Sequence, residues 1–196
     1  EEGVILQKIV LKNAISLYTD ATYEELFIKG TMKILFCQHN VSIKQQDKLV
    51  HRPTIDLPLG ILYMASYLRG KDWPGEIEIY DARLSGLVNK LPNGDMVFGD
   101  LDDVIEKNIK DSNPDIIAIS NMFSWQVANA FEMAKTAKKA CPKSIVVIGG
   151  PHASSFPVET LSEDCIDYVV YDLNEASVGL ALGTFNTIKS LIREKT

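Results

Sequence analysis

The sequence predicts an α/β protein built on a doubly wound, five-stranded parallel sheet. Two observations carry this. From Met32 onward, short β-branched runs alternate with helical stretches, the order that a parallel sheet covered on both faces requires. Three of the five runs are almost continuously apolar, as strands buried on both faces are. Five such units point to a flavodoxin-like, or Rossmann-like, sheet of order 2-1-3-4-5 with right-handed crossovers and its ligand site at the carboxyl ends of the strands.

The strands are "MKILFCQ" (32 to 38), "EIEIYDA" (76 to 82), "DIIAIS" (115 to 120), "SIVVIGG" (144 to 150) and "DYVVYDL" (167 to 173). Between the first two, "LPLGILYMASYLRG" (57 to 70) is apolar nearly all round, so it is expected to lie flat on the sheet, with Asp56 to cap it and Gly70 to end it. "DLDDVIEKNIKDS" (100 to 112) opens with Asp at the cap and acids in its first turn, where the helix dipole favours them. "SWQVANAFEMAKTAKKA" (124 to 140) places Val127, Phe131, Ala134 and Ala137 on one face. A short helix around Pro157 to Ser162 and a last one from about Ala176 to Glu194 complete the set. Residues 1–31 read as one or two amphipathic helices outside the alternation, a helical extension that docks on the sheet or belongs to a neighbouring module; residues 32–196 form the α/β domain.

Composition narrows the function. With 26 acidic and 20 basic residues and no Lys/Arg cluster interleaved with aromatics, nucleic acid is not an expected partner. Cys37, Cys141 and Cys165 are odd in number and far apart, which encodes neither a disulfide framework nor a zinc site. Reduced thiols, the lack of a basic leader, and the absence of an apolar run near the ~20 residues that span a bilayer give the expectation of a soluble, cytoplasmic chain with no membrane partner.

The loops after the strands share one edge and form the candidate site. After the first strand, "HNVSIKQQDKLVHRPTID" (39 to 56) exceeds the roughly 12 to 15 residues beyond which a loop is commonly functional. His39 and His51 lie in it and are expected to be solvated. "SNMFSW", "GGPHASSF" and "DLNEAS" follow strands three, four and five. No GxGxxG or GxxxxGK[ST] supplies a phosphate cradle. Phe36-Cys37-Gln38 stands where a response regulator needs its phosphoacceptor Asp, and no Ser/Thr-rich flavodoxin loop is present. Gly149 and Gly150 are suited to close approach of backbone to a ligand or to a turn that the fold alone needs. Ser120 and Asn121 are placed to bond a ligand or to cap the next turn, and His152 follows Pro151 on a rigid turn.

"PTIDLPLGILYMASYLRG", "EIEIYDARL" with Asp81, "NPDIIAIS", "VVIGGPHAS" and "DYVVYDLNEAS" together resemble, in order and spacing, the N-terminal cobalamin-binding domain of B12-dependent radical SAM enzymes, over about Met32 to Ser177. The resemblance implies cobalamin as cofactor, cradled by Ser120, Asn121, Met122, Gly149, Gly150, Pro151, His152, Asn174 and Glu175. The corrin is a broad, mostly apolar disc with amide side arms and a nucleotide tail, so backbone near the ring and neutral hydrogen-bonding groups suit it. The D-x-H-x-x-G that supplies an axial histidine in other cobalamin domains is absent, which implies base-off cobalamin with no histidine on cobalt and no metal ligand in the chain. The family's common G-E-G-E is replaced by Asp172-Leu173-Asn174-Glu175, with Glu175 retained. No C-x-x-x-C-x-x-C is present to hold a [4Fe-4S] cluster. S-adenosylmethionine and that cluster are expected in a radical SAM catalytic domain, in cis or in trans, with methyl transfer or related chemistry there. Two alternatives stand beside this reading: a degenerate domain serving as an interaction or structural module, and a small hydrolase or transferase with His152 as base.

Overall fold

The structure, a computed structural model, describes residues 32–44, 55–70 and 75–170. Its main sheet is parallel and five-stranded: β1 (Lys33–Gln38), β3 (Glu76–Asp81), β6 (Ile116–Ser120), β7 (Ile145–Gly149) and β8 (Tyr168–Val170), in the spatial order β3-β1-β6-β7-β8. This is the expected 2-1-3-4-5 arrangement. β1 lies between β3 and β6 and is buried from Ile34 to Gln38. Its near-continuous apolar run follows from burial on both faces.

Strand alternation divides the core in two. Ile34 and Phe36 of β1 join Ile116, Ala118 and Val147 beneath helix α1 (Leu59–Gly70). Leu35 and Cys37 join Ile117, Ile119 and Ile148 beneath α2 (Asp102–Ser112) and α3 (Val127–Ala140). Helices therefore cover both faces, as a doubly wound sheet requires. The expected helix over 176–194, the end of the fifth strand and residues 1–31 lie outside the described residues.

Helix details correct several expectations. α1 buries a narrow stripe, Ile61, Ala65 and Leu68, spaced at one helical face. Leu59, Leu62 and Tyr63 on its other sides are exposed, so the helix does not lie apolar all round against protein. Asp100 does not cap α2: its carboxylate accepts the Tyr80 hydroxyl at 2.7 Å, and Leu101 stands at the cap without a side-chain bond. At the other end Asn113 takes left-handed geometry and its N–H reaches the Ile109 carbonyl, a conformation Asn tolerates better than most residues. α3 is preceded by a 3-10 turn (Ser124–Gln126) and buries Ala130, Met133, Ala134 and Ala137, leaving Val127 and Phe131 half-buried. The small side chains let α3 approach α2 and the sheet closely. After β7 come two one-turn helices, α4 (Pro151–Ser155) and α5 (Pro157–Leu161), each opened by proline, which has no N–H to leave unpaired there.

A second sheet was not anticipated. Three-residue strands β2 (Val41–Ile43), β4 (Val88–Lys90) and β5 (Met96–Phe98) form an antiparallel sheet of order β2-β5-β4. It is tied to the main body: the Asp100 N–H donates to Ala82 O at 2.7 Å, Asn40 Nδ2 donates to Asp100 O at 2.8 Å, and Asn129 Nδ2 on α3 donates to Ser42 Oγ at 2.7 Å. The first part of the long loop after β1 is thus a strand, held over the α2–α3 side.

The division of the core predicts a contrast. Ile109→Ala, at a fully buried position between α2 and the sheet, should lose about 2–5 kcal/mol in urea unfolding. Ile79→Ala on the edge strand, where the side chain is partly exposed, should lose about 1 kcal/mol or less.

Candidate functional site

The parallel register lines up the last strand residues in one row: Asp81, Gln38, Ser120 and Gly149. The ladder continues one residue further, because the Ala82 N–H donates to Gln38 O at 2.9 Å and the Asn121 N–H donates to Gly149 O at 2.8 Å. A second row follows at once: Ala82, His39, Asn121 and Gly150. By strand alternation the first row belongs to the α1 side, and the second shares the α2–α3 side with Cys37 and Ile119.

Of the residues expected to form the site, Ser120, Asn121, Met122, Gly149, Gly150, Pro151 and His152 lie together on this edge. Asn174 and Glu175 fall outside the described residues. The two glycines differ. Gly149 ends β7 in ordinary strand geometry, where a Cβ would make van der Waals contact with Val170. Gly150 has φ +119° and a Cβ there would run into the Asn121 carbonyl oxygen. The close approach at Gly150 is therefore to its neighbouring strand end, and it fixes Asn121 against β7.

His39 corrects the expectation of a solvated loop histidine. His39 is fully buried and His152 nearly so. His51 lies outside the described residues. His39 Nδ1 is 2.6 Å from Asn40 O; a carbonyl only accepts, so Nδ1 carries the proton and Nε2 presents a lone pair. Burial pushes this imidazole's pKa down, against the opposing pull of the Asn40 carbonyl, which keeps the ring neutral. His152 sits in α4 with its ring 5.1 Å from that of Phe156.

Five buried side-chain atoms in the described residues have no hydrogen-bond partner there: His39 Nε2, both amide atoms of Asn121 and both ring nitrogens of His152. All lie on this edge. Buried polar groups are ordinarily paired, so a cluster of orphans on neighbouring strand ends marks a place built for a bonding partner. The basic residues that follow β3 and β2 are already engaged. Arg83 Nε is 3.2 Å from Asp81 Oδ1, its Nη2 donates to Asp56 O, and Lys44 is 3.5 Å from Asp95. The Asn121 amide is uncharged and burial favours a neutral His39, and the edge beside them is apolar: Met122, Phe123 and Trp125 are exposed, with the rings of Phe123 and Trp125 stacked at 6.2 Å. Neutral donors and acceptors beside apolar surface fit a ligand rich in amides and ring carbon better than a free phosphate or carboxylate. That chemistry agrees with a corrin.

Burial raises the Cys37 thiol's pKa and keeps it protonated deep in the sheet. Among the described residues, neither ring nitrogen of His152 meets a carboxylate or nucleophile that would activate it as a base. No cluster of three or more His, Cys, Asp or Glu among the described residues is arranged to hold a metal ion. Also among them, no helix is long and apolar enough to cross a membrane. His39 was missed as a site residue; its signal was position, a polar residue directly following an apolar strand in a ligand-side row.

A family model described as B12 binding domain matches residues 50–181. A cytidylyl-2-hydroxyethylphosphonate methyltransferase of Streptomyces wedmorensis is 35% identical over 121 residues, 60% of this chain and 22% of that protein. An uncharacterized methyltransferase of Pyrococcus horikoshii is 37% identical over 114 residues, 58% of this chain and 21% of that protein. The chain thus matches about a fifth of the length of these curated relatives. A solved periplasmic domain of a Salmonella ser. Paratyphi A lipopolysaccharide acetyltransferase aligns at 14% identity and TM-score 0.35, over 96% of this chain and 74% of that one, too slight a likeness to argue from.

Two outcomes are expected from this geometry. Gly150→Ala should lower stability by about 1–3 kcal/mol or more, since it combines a disfavoured φ with a backbone clash. Gly149→Ala should stay within about 1 kcal/mol, and urea midpoints compare the two. Stability should also fall with acid. Below about pH 6.5 an unfolded His39 takes up a proton that the folded one resists, so the unfolded state binds more protons and gains. His39→Gln should weaken the loss of urea midpoint between pH 7.5 and pH 5.5.

Proposed function

The chain belongs to the B12-binding domain family, and on that premise we propose that it is the cobalamin-holding module of a B12-dependent radical SAM methyltransferase whose catalytic domain lies outside this chain. The observation that carries the reading is the group of unpartnered polar side chains on one edge, His39 and Asn121 at the strand ends and His152 in α4, next to exposed apolar side chains. The two methyltransferases among the relatives, each matched over about a fifth of its length, support a binding module whose chemistry is completed elsewhere. The radical SAM context rests on the resemblance of the five strand motifs, with S-adenosylmethionine and a [4Fe-4S] cluster assigned to the second domain.

In this role Ser120, Asn121, Met122, Gly149, Gly150, Pro151 and His152 hold the corrinoid, with Asn174 and Glu175 assigned to the same cradle from the fifth motif. Bound there, cobalamin supplies a cobalt able to carry a methyl group. The protein binds and orients it. No histidine is assigned to cobalt, in keeping with the missing D-x-H-x-x-G; among the described residues His39 is buried with its Nδ1 proton on Asn40 O, and His152 has its ring near that of Phe156. The module is assigned residues 32–196, because β1 lies outside the matched residues yet is paired on both sides in the sheet.

The competing reading is a degenerate domain that serves as an interaction module, favoured by Asp172-Leu173-Asn174-Glu175 in place of G-E-G-E. The orphaned groups argue against it. A site released from ligand binding gains stability when such groups are paired or replaced by apolar ones, as unpaired buried groups cost about 1–3 kcal/mol each.

The test is direct. Protein mixed with hydroxocobalamin should carry it through gel filtration with a shifted visible spectrum, and the cob(II)alamin form should show an electron paramagnetic resonance spectrum without splitting from a protein nitrogen. A colourless protein peak would sink the cobalamin reading, and nitrogen splitting that disappears in His39→Gln, His51→Gln or His152→Gln would sink the assignment of a histidine-free cobalt.

A further inference from the structure

We propose that His39, Asn121 and His152 read the amide arms of the corrin, admitting a neutral carboxamide and rejecting the carboxylate that takes its place in an incompletely amidated corrinoid. The inference rests on the cobalamin reading above and deepens it by naming which corrinoids the site accepts.

The argument is one of donor and acceptor count. His39 Nδ1 is committed to Asn40 O, so its free Nε2 is an acceptor. Asn121 offers a donor in Nδ2 and an acceptor in Oδ1, and the His152 ring offers at least one N–H donor. The set asks for a partner that both donates and accepts. A primary carboxamide does both. Its NH2 satisfies the lone pairs of His39 Nε2 and Asn121 Oδ1, and its oxygen takes the Asn121 NH2 or the His152 N–H.

A carboxylate of the same shape brings acceptors alone. It leaves the lone pairs facing negative oxygens and brings a charge into a buried place. Among the described residues, the cations that follow β3 and β2 already have carboxylate partners: Arg83 is held by Asp81 and also donates to Asp56 O, and Lys44 is held by Asp95. A buried charge without a partner is strongly disfavoured, and a site made for hydrogen bonding rejects an analogue that leaves its polar groups unpaired.

The backbone that carries these groups is closely held. Asn121 is anchored through its N–H to Gly149 O and by Gly150 passing against its carbonyl. His39 is fixed by the β1 register and its bond to Asn40 O, while Asn40 itself donates to Asp100 O. His152 follows Pro151 at the start of α4, with Phe156 beside its ring. The bond to Asn40 O holds the His39 proton on Nδ1, so Nε2 stays an acceptor that an amide N–H can meet and an acid's oxygens cannot.

The experiment titrates the full protein with hydroxocobalamin and, separately, with each of its propionate-arm monocarboxylic acids at neutral pH, reading the visible spectrum and retention on gel filtration. At least one monoacid should bind about 10-fold or more weakly than hydroxocobalamin. In Asn121→Leu and in His152→Phe, each checked for folding by circular dichroism, that ratio should shrink towards unity. Discrimination that persists undiminished in a folded variant of either kind overturns the proposal. So does binding of every monoacid within about threefold of hydroxocobalamin, while leaving the cobalamin reading intact. Failure of hydroxocobalamin itself to bind removes both.

Discussion

Everything at the candidate site depends on the parallel register of β1, β6 and β7. Gln38 opposite Ser120, and Ser120 opposite Gly149, fix which residues come next, and the Asn121 N–H bond to Gly149 O carries the ladder past the nominal strand ends. A shift of one residue would exchange the two faces. His39 and Asn121 would then leave the α2–α3 side, and the row of neutral groups would dissolve. Gly150 protects this register from one side, since its backbone passes so close to Asn121 that no side chain fits between. On the other side, the bonds from Asp100 N–H to Ala82 O and from Asn40 to Asp100 O tie the small antiparallel sheet to the same strand ends.

The arrangement has an energetic consequence for folding. A folded domain is stable by only about 5–15 kcal/mol, and each unpaired buried polar group subtracts about 1–3 kcal/mol from that margin. Five such atoms on three residues are a substantial charge against a domain of this size. The rest of the fold shows how the sum is kept positive. Polar groups that do not face the site are thoroughly satisfied: Asn129 with Ser42, Tyr80 with Asp100, and Asp167 with both Lys138 and the Val146 N–H. A ligand that pairs the orphans stabilises the folded state by mass action, so binding and stability are coupled through the same atoms.

Much of this was legible in the sequence because it depends on local pattern. Strand runs such as "IIAIS" and "IVVIG" declare burial on both faces, and the βα alternation sets their order. The edge taken as the candidate site followed from that order, and the structure places Ser120 to Met122 and Gly149 to His152 together on it. Other features depend on contacts between residues distant in the chain. Asp100 has the right type for a helix cap, but Tyr80, twenty residues away, takes its carboxylate. His39 looks like the first residue of a solvated loop until β2 folds back and pairs with β5, 55 positions later in the case of Ser42 and Val97. Three-residue strands leave too short a period to read. The glycine pair shows the same limit: both suggested close approach, and the three-dimensional register was needed to assign that approach to Asn121 and to Gly150 alone.

The chemistry of the edge sorts the labour between this chain and whatever completes it. Cys37 is kept protonated by burial, His39 is kept neutral with its proton committed, and Asp81 is tied to Arg83. His39 and Asn121 thus present neutral hydrogen-bonding groups beside exposed apolar side chains. Such a surface suits hydrogen bonds to amide arms and contact with an apolar ring. In the proposed role that neutrality is the chain's contribution: a cradle that fixes position and selects the ligand, while reactivity stays with the cofactor and with the catalytic domain to which it is presented.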